Sequence, residues 1–465
     1  MVGLPARGKS YIVKKLARYL NWLRYKTMNF NVGERRRLVR PTDIVDGPVS
    51  NESTSSHSSS AAFFDPANRS SVALRDQVAL QTLDELLDWL LLEDGTVGIL
   101  DATNNTPERR RLIRSHIRAR AGDGLNIIYL ESRCFDEAIL ETNMRLKLSG
   151  PDYKDKDHDK ALADFRQRVS LYEKSYVPLG EAEEADMVSY IQTIDVGRKI
   201  NTHLAQGFLA TQMVEYLLNF NLSDRQIWIS CNGESIDDGE GKIGRNSDLS
   251  DHGKIYSQVL ARFIDAQRTN RSVPPKASKS SPTGDQQPTT NGSSHTDHQD
   301  FGIWTSTMPQ AIETALPFDS AIYPKRQMKM LDDLNAGIMA GLTYSQIQTL
   351  HPDEYAARKA NKLLYRWPGT GGEGYIDVIN RLRVVILELE RVRDHLLLVT
   401  HRAVVRVLLA YFWDLRRDEL ADLEVAKDTV FCLQPKPYGI KTTIYRYSPE
   451  TEWFEQVPNN IPKGA

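Results

Sequence analysis

Leucines return at positions 80, 83, 86, 87 and 90, a helical spacing that predicts one amphipathic helix over Gln77–Leu92. Two short apolar runs follow, Thr96–Leu100 and Leu125–Leu130, which read as buried strands for that helix to cover. A helix is predicted near the start over Tyr11–Leu23, and another over about Leu204–Leu217. A second series of apolar strands opens at Arg225–Ile229 and continues through Phe301–Trp304 and His395–Thr400. Alternation of short strands with helical patterns is the mark of α/β domains with largely parallel sheets. The reading is two such domains, 1–220 and 221–465, divided near Asn221. Two stretches carry almost nothing to bury: the Ser-rich 50–60 and the Pro-, Ser- and Thr-rich 271–299, read as disordered insertions and as segments open to phosphorylation or serving as plain linker.

Composition narrows the classes. The 465 residues are 40% hydrophobic and 26% charged, the proportions of a globular chain, with a formal net charge of −2 that supplies no overall field for nucleic acid or anionic membrane. Cys134, Cys231 and Cys432 are too few and scattered for a disulfide framework or a cysteine-based zinc site, so a reducing, cytoplasmic setting is expected. The longest apolar run, Ala403–Trp413, is short of a membrane span and broken by Arg406. The first forty residues hold eleven Lys and Arg against the single acid Glu34, as a transit peptide does. A disposable leader has no reason, however, to contain Gly3-Leu4-Pro5-Ala6-Arg7-Gly8-Lys9-Ser10.

That octapeptide matches the phosphate-binding loop pattern at every defined position. Gly3 and Gly8 let backbone N–H groups curl around a polyphosphate. Lys9 reaches its terminal oxygens, Ser10 ligates Mg²⁺, and the following helix directs its positive end at the anion. The strand that should precede such a loop is reduced to Met1-Val2, so a truncated first strand is expected. Asp101 ends the apolar strand Ile99-Leu100, where a metal- or hydroxyl-organising carboxylate belongs, though a strand-end Asp also serves as a helix cap.

The runs GLPARGKSYIVKKLARYLNW, LDATNNTPERRR, RLKLSGPDY and VSLYEKSYVPL, in this order, closely resemble the kinase half of the 6-phosphofructo-2-kinase/fructose-2,6-bisphosphatase family. The resemblance extends over nearly the whole chain outside the two insertions. It implies a P-loop kinase domain transferring the γ-phosphoryl of ATP to the 2-hydroxyl of fructose 6-phosphate, followed by a histidine-phosphatase-like (phosphoglycerate-mutase-like) α/β domain. Carried over, it makes Lys9, Asp101 and Lys147 catalytic, places Gly3, Gly8, Lys9, Ser10 and Asn143 at the nucleotide, and assigns Mg²⁺ to Ser10 and Asp101. Arg75, Thr103, Arg109, Arg168 and Tyr172 become sugar-phosphate contacts. By spacing alone those arginines read as solvated helix-face charges.

In the second half, the histidine phosphatase superfamily carries Arg-His-Gly-Glu-Ser, whose His becomes phosphohistidine; this chain has Cys231-Asn232-Gly233-Glu234-Ser235. An amide has no basic lone pair comparable to imidazole. Gln310 stands for a phosphate-binding Arg, Asp333 for a proton-donating Glu and Asp428 for another His, while His401 is retained. The implied protein is a kinase without phosphatase activity, using ATP and Mg²⁺, with no nucleic-acid or membrane partner and a homodimeric tendency carried from the family. The alternatives are a bifunctional enzyme with residual fructose-2,6-bisphosphatase activity and a non-catalytic regulatory protein, the latter only if the first strand is truly lacking.

Overall fold

The computed structural model describes residues 1–38, 61–148, 153, 157–219, 221–244, 246–271, 301–436 and 439–459. The Ser-rich stretch 50–60 lies outside these residues. So does the stretch 271–299 except for Arg271, which is helical and closes the helix Asp251–Arg271. The chain forms two compact units, Met1–Leu222 and Ser223–Ala465.

In the first unit the phosphate loop leads into α1 (Lys9–Trp22), then strand β1 (Thr27–Asn31) and α2 (Val32–Leu38). Helix α3 (Arg69–Leu92) precedes β2 (Val97–Asp101), and α4 (Pro107–Ala121) precedes β3 (Ile128–Arg133). Helices α5 (Glu137–Leu148), α6 (His158–Glu173) and α7 (Glu181–Ala185) lead to β4 (Ser189–Ile194), β5 (Lys199–His203) and α8 (Phe208–Asn219). The leucine spacing captured only the buried part of α3, where Leu83, Leu86 and Leu87 pack with Ile113 and Ile117 of α4. Its first turns are polar and are started by Asn68, whose side chain accepts the Ser71 N–H. The helix expected from Leu204 begins at Phe208 instead, because Leu204 and Gly207 both take positive φ (47° and 90°) and end a hairpin. That hairpin makes β5 antiparallel to β4, whereas β1 with β2 and β3 with β4 are parallel.

The segment Met1–Gly3 joins these pieces. The Val2 N–H donates to Leu130 O at 2.8 Å and Val2 O accepts the Ser132 N–H at 3.1 Å, so Val2 is a parallel bridge onto β3. On the other side the Met1 nitrogen donates to Leu100 O at 2.9 Å and the Gly3 N–H to Thr103 O at 2.9 Å. Three residues therefore do the work of the strand expected to be missing, with β2 on one flank and β3 on the other. Val2 is fully buried among Tyr129, Leu179, Val188 and Tyr190.

The second unit is built on a sheet in the order β12-β11-β10-β6-β9-β7-β8. Its strands are β6 (Ile227–Cys231), β7 (Phe301–Thr305), β8 (Lys325–Gln327), β9 (His395–Thr400), β10 (Thr429–Lys436), β11 (Gly439–Ser448) and β12 (Trp453–Val457). The run from β6 through β9 and β7 to β8 is parallel and the other three strands are antiparallel. Trp228, Val259, Phe263, Ile303 and Leu397 belong to one buried core. Cys231 is in register with Thr400, so the next residues along, Asn232 and His401, leave the sheet side by side at its carboxyl edge. That is where open α/β sheets hold ligands.

Replacing Val2 by Asp should cost the first unit about 3–5 kcal/mol, since a carboxylate would be buried where two strands close on an apolar side chain. Urea denaturation followed by fluorescence would check this. An unchanged midpoint would show that Val2 is not part of the sheet.

Candidate active site

The loop between Gly3 and Gly8 turns on left-handed residues: Gly3 at φ 132°, Ala6 at 60° and Gly8 at 85°. Gly3 also has no room for a side chain, because a Cβ there would meet Ser132 O at 2.6 Å. Ser132 fixes the loop twice, by its N–H to Val2 O and by its hydroxyl to Arg7 O. The Asn143 amide donates to Ala6 O at 3.1 Å and so supports the same loop from α5. Helices α3, α4 and α6 each start with a side-chain cap, from Asn68, Thr106 and Asp157, but α1 starts at Gly8 with none. Its first N–H groups and the positive end of its dipole are thus left for an anion.

Beside the loop, the Ser10 hydroxyl donates to Asp101 Oδ2 at 3.0 Å, and the Asn31 amide donates to the same oxygen at 2.8 Å. Asn31 also accepts the Glu34 N–H at 3.0 Å, tying the start of α2 to the carboxylate. The Lys9 ammonium is buried and donates to Leu4 O at 2.6 Å. Burial pushes it down to about 7; Asp101 opposes that shift, and Lys147, Arg168 and Arg7 add to it. Burial likewise lowers Lys147, which faces Asp101, Arg168, Arg37 and Lys14.

A second group of cations continues from Arg168. Arg75 on α3 is lowered by burial and faces Tyr172, Arg168 and Asp65. Arg109 on α4 is lowered to about 10 by burial, with Tyr172 and Arg75 as its neighbours; it donates to Arg75 O at 2.9 Å and pairs with Asp76. Tyr172 is one turn beyond Arg168 on α6 and is buried. Thr103 enters through its backbone, its carbonyl accepting the Gly3 N–H. The structure therefore assembles Gly3, Gly8, Lys9, Ser10, Asp101, Asn143 and Lys147 around the loop, and Arg75, Arg109, Arg168 and Tyr172 into a continuous cationic stretch leading from it. Two contributors escaped the sequence reading. Asn31 ends a strand too polar to stand out, and the turn Ala61–Phe64, which carries Phe63 and Phe64, adjoins a polar stretch.

In the second unit, burial pushes the Cys231 thiol up to about 12, which keeps it protonated and uncharged. The Asn232 N–H donates to Thr400 O at 2.7 Å and its amide to Gly233 O at 2.8 Å. The ring nitrogen Nε2 of His401 shares a 2.7 Å hydrogen bond with the Ser306 hydroxyl. Burial lowers the pKa of His401, although Asp333, Asp332 and Asp238 oppose it. Gln310 is buried on the helix Pro309–Thr314, and burial raises Asp428. Two of the basic groups nearby are engaged: Arg381 donates to the carbonyls of Asp332 and Asp333 at 2.6 and 3.1 Å and pairs with Glu373, and Lys427 pairs with Asp238 at 2.6 Å; Arg402 also acts on Cys231.

The family model for 6-phosphofructo-2-kinase matches residues 1–224, and that for the histidine phosphatase superfamily (branch 1) matches residues 265–446, beginning after the strand that carries Cys231. A Schizosaccharomyces pombe protein named as a probable 6-phosphofructo-2-kinase is 43% identical, over 99% of this chain and 71% of its own. The 6-phosphofructo-2-kinase 1 of Saccharomyces cerevisiae is 45% identical over 98% of this chain, which spans about half (53%) of that relative. The human 6-phosphofructo-2-kinase/fructose-2,6-bisphosphatase 3 is 36% identical over 95% of this chain and 75% of its own.

The depressed Lys9 ammonium makes polyphosphate binding proton-linked. Above pH 7 the free protein holds Lys9 largely neutral, and an anion in the loop restores its ordinary high pKa. On binding tripolyphosphate at pH 8 the wild type should then take up about one proton more than a Lys9→Met variant, and at pH 6 close to none more. Calorimetry in buffers of different ionisation enthalpy measures this. Equal uptake at pH 8 in a Lys9→Met variant would refute the assignment.

Proposed function

The chain belongs to the 6-phosphofructo-2-kinase/fructose-2,6-bisphosphatase family, and we propose that its first unit phosphorylates fructose 6-phosphate at the 2-hydroxyl, using ATP, while its second unit is catalytically silent. The observation that carries the kinase reading is the chain of mutually facing charges that starts at Asp101 and Lys9 and passes through Lys147 and Arg168 to Arg75 and Arg109. A site this cationic, with the Asp101 carboxylate beside the loop, suits two phosphorylated substrates brought end to end.

The roles follow from the positions. The backbone between Gly3 and Gly8, the uncapped start of α1 and Lys9 hold the ATP phosphates. Lys9 turns from Leu4 O to the transferring group, and Lys147, also beside Asp101, balances the charge that develops there. Asn143 keeps the loop in shape. Arg75, Arg109 and Arg168 grip the 6-phosphate, which needs several forked donors, and Tyr172 lines the sugar. Asp101 Oδ2 is already committed to Ser10 and Asn31, which leaves Oδ1 to orient the 2-hydroxyl for in-line attack.

The Ser10 hydroxyl and the Asp101 carboxylate, 3.0 Å apart, are a hard-oxygen pair suited to Mg²⁺, which takes few protein ligands and completes its shell with water and phosphate. Bound there, Mg²⁺ would offset phosphate charge during transfer.

The silence of the second unit rests on chemistry at one strand edge. Asn232 stands where the nucleophile belongs and its amide is spent on Gly233 O, while Cys231 offers a neutral thiol where a guanidinium is needed. His401 faces Asp333, Asp332 and Asp238, and its own Nε2 is taken by Ser306. A phosphate dianion entering this edge would meet those carboxylates as well as Arg402 and Lys427, without the guanidinium at position 231 or the imidazole at position 232 that the superfamily motif supplies.

Lys9→Ala should lower kcat for fructose 2,6-bisphosphate formation by about 10²–10³, the value of one preorganised donor, whereas Arg168→Ala should act mainly on KM for fructose 6-phosphate. More than a tenth of the activity remaining in Lys9→Ala, or an Arg168→Ala effect confined to ATP, would overturn these roles. Wild-type protein incubated with 2-³²P-labelled fructose 2,6-bisphosphate should release no phosphate above the uncatalysed background and form no phosphoprotein. Steady release would end the reading of the second unit.

A further inference from the structure

The turn Ala61–Phe64 brings two aromatic rings against the sugar-phosphate cations. The Arg168 guanidinium lies 3.8 Å from the centroid of the Phe64 ring, and the Arg36 guanidinium of α2 lies 4.9 Å from the same centroid. Tyr172 tilts against Phe64 with centroids 5.5 Å apart. Phe63, edge-on to Phe64 at 5.2 Å, carries the Arg75 guanidinium 5.8 Å from its own ring, and its carbonyl accepts a hydrogen bond from Arg75. Phe64 is 2% exposed and packs in one buried cluster with Tyr172 and with Leu4, the residue whose carbonyl holds Lys9. The Phe64 ring itself meets Tyr172, Phe63, Arg36 and Arg168.

We propose that Phe64 is a positioning residue for the kinase reaction, holding Arg168 in place for the 6-phosphate of fructose 6-phosphate through its ring face; the inference rests on the substrate proposed above. The physical case is one of charge. Arg168 faces both Arg75 and Lys147 and is repelled by each, so its side chain needs restraint. A carboxylate would supply it but would also neutralise the cation and repel the incoming dianion. An aromatic face attracts a guanidinium through its quadrupole and leaves the net charge intact. The ring face adds its hold to the hydrogen bond between Arg168 and the Tyr153 hydroxyl, and takes no charge from the guanidinium.

The test is steady-state kinetics on the full chain. Phe64→Leu should raise KM for fructose 6-phosphate roughly tenfold, the size of one desolvated cation–π contact, with kcat and KM for ATP within about twofold. Phe64→Tyr, which keeps the ring face, should restore a KM near wild type. In an Arg168→Ala background the Phe64→Leu step should add less than about twofold, because the group it positions is gone. Circular dichroism and the melting temperature confirm folding. If Phe64→Leu does not fold, Phe64→Met keeps more of the volume and carries the same expectation. A folded Phe64 variant with unchanged KM for fructose 6-phosphate overturns the inference, as does a full tenfold step in the Arg168→Ala background. A wild-type protein that fails to phosphorylate fructose 6-phosphate removes instead the reading on which it rests.

Discussion

The first unit depends on how closely Met1–Gly3 lies against β3. Two hydrogen bonds from Val2 and a glycine with no room for a Cβ put the backbone of the phosphate loop in contact with Ser132, and Ser132 then holds the far side of the same loop through Arg7. Because the Met1 nitrogen and the Gly3 N–H bond to the other flank, near the end of β2, the same three residues set the distance between the loop and Asp101. The hydrogen bond between Ser10 and Asp101 is a consequence of strand spacing as much as of side-chain choice. The carboxylate, the hydroxyl and the uncapped helix start meet because one short extended segment is clamped between two others.

What was legible in advance follows from the range of each signal. The phosphate loop and the strand ending at Asp101 are local patterns, readable because glycine, lysine and a strand-end acid act through neighbours in sequence. The leucine spacing of α3 was readable for the same reason, and its polar first turns were not, since a cap such as Asn68 interrupts no apolar period. Lys147, Arg75, Arg109 and Arg168 come from four different helices. No spacing along the chain links them, and only the family resemblance singled them out from surface charges. Asn31 and Phe64 were overlooked because their importance lies entirely in what the fold brings to them. The first is a polar strand end that meets Asp101 70 residues away; the second is an aromatic beside a polar stretch that meets Arg168.

In the second unit the scaffold does not depend on the residues that the proposed loss of chemistry concerns. Its sheet order, the side-by-side exit of Asn232 and His401, and the close approach of Gly233 to Gly253 are backbone properties maintained by Trp228, Phe263, Leu397 and their neighbours. None of these depends on an imidazole at 232 or a guanidinium at 231. The polar groups at this edge bond within the protein: the Asn232 amide with Gly233, His401 with Ser306, Arg381 with the carbonyls of Asp332 and Asp333. Hydrogen bonds that would face a phosphate are closed inward.

The crowding of Lys9, Lys147, Arg168, Arg75 and Arg109 also bears on how long the polypeptide lasts. In the free protein Lys147, Arg168, Arg75 and Arg109 crowd together and the buried Lys9 gives up part of its charge, so the folded state carries a standing electrostatic and desolvation penalty that an anion relieves. Anything that binds only the folded state stabilises it in proportion to the logarithm of its concentration. The substrates proposed for the site would thereby also act as stabilisers of the fold, tightening the same chain whose charges they neutralise.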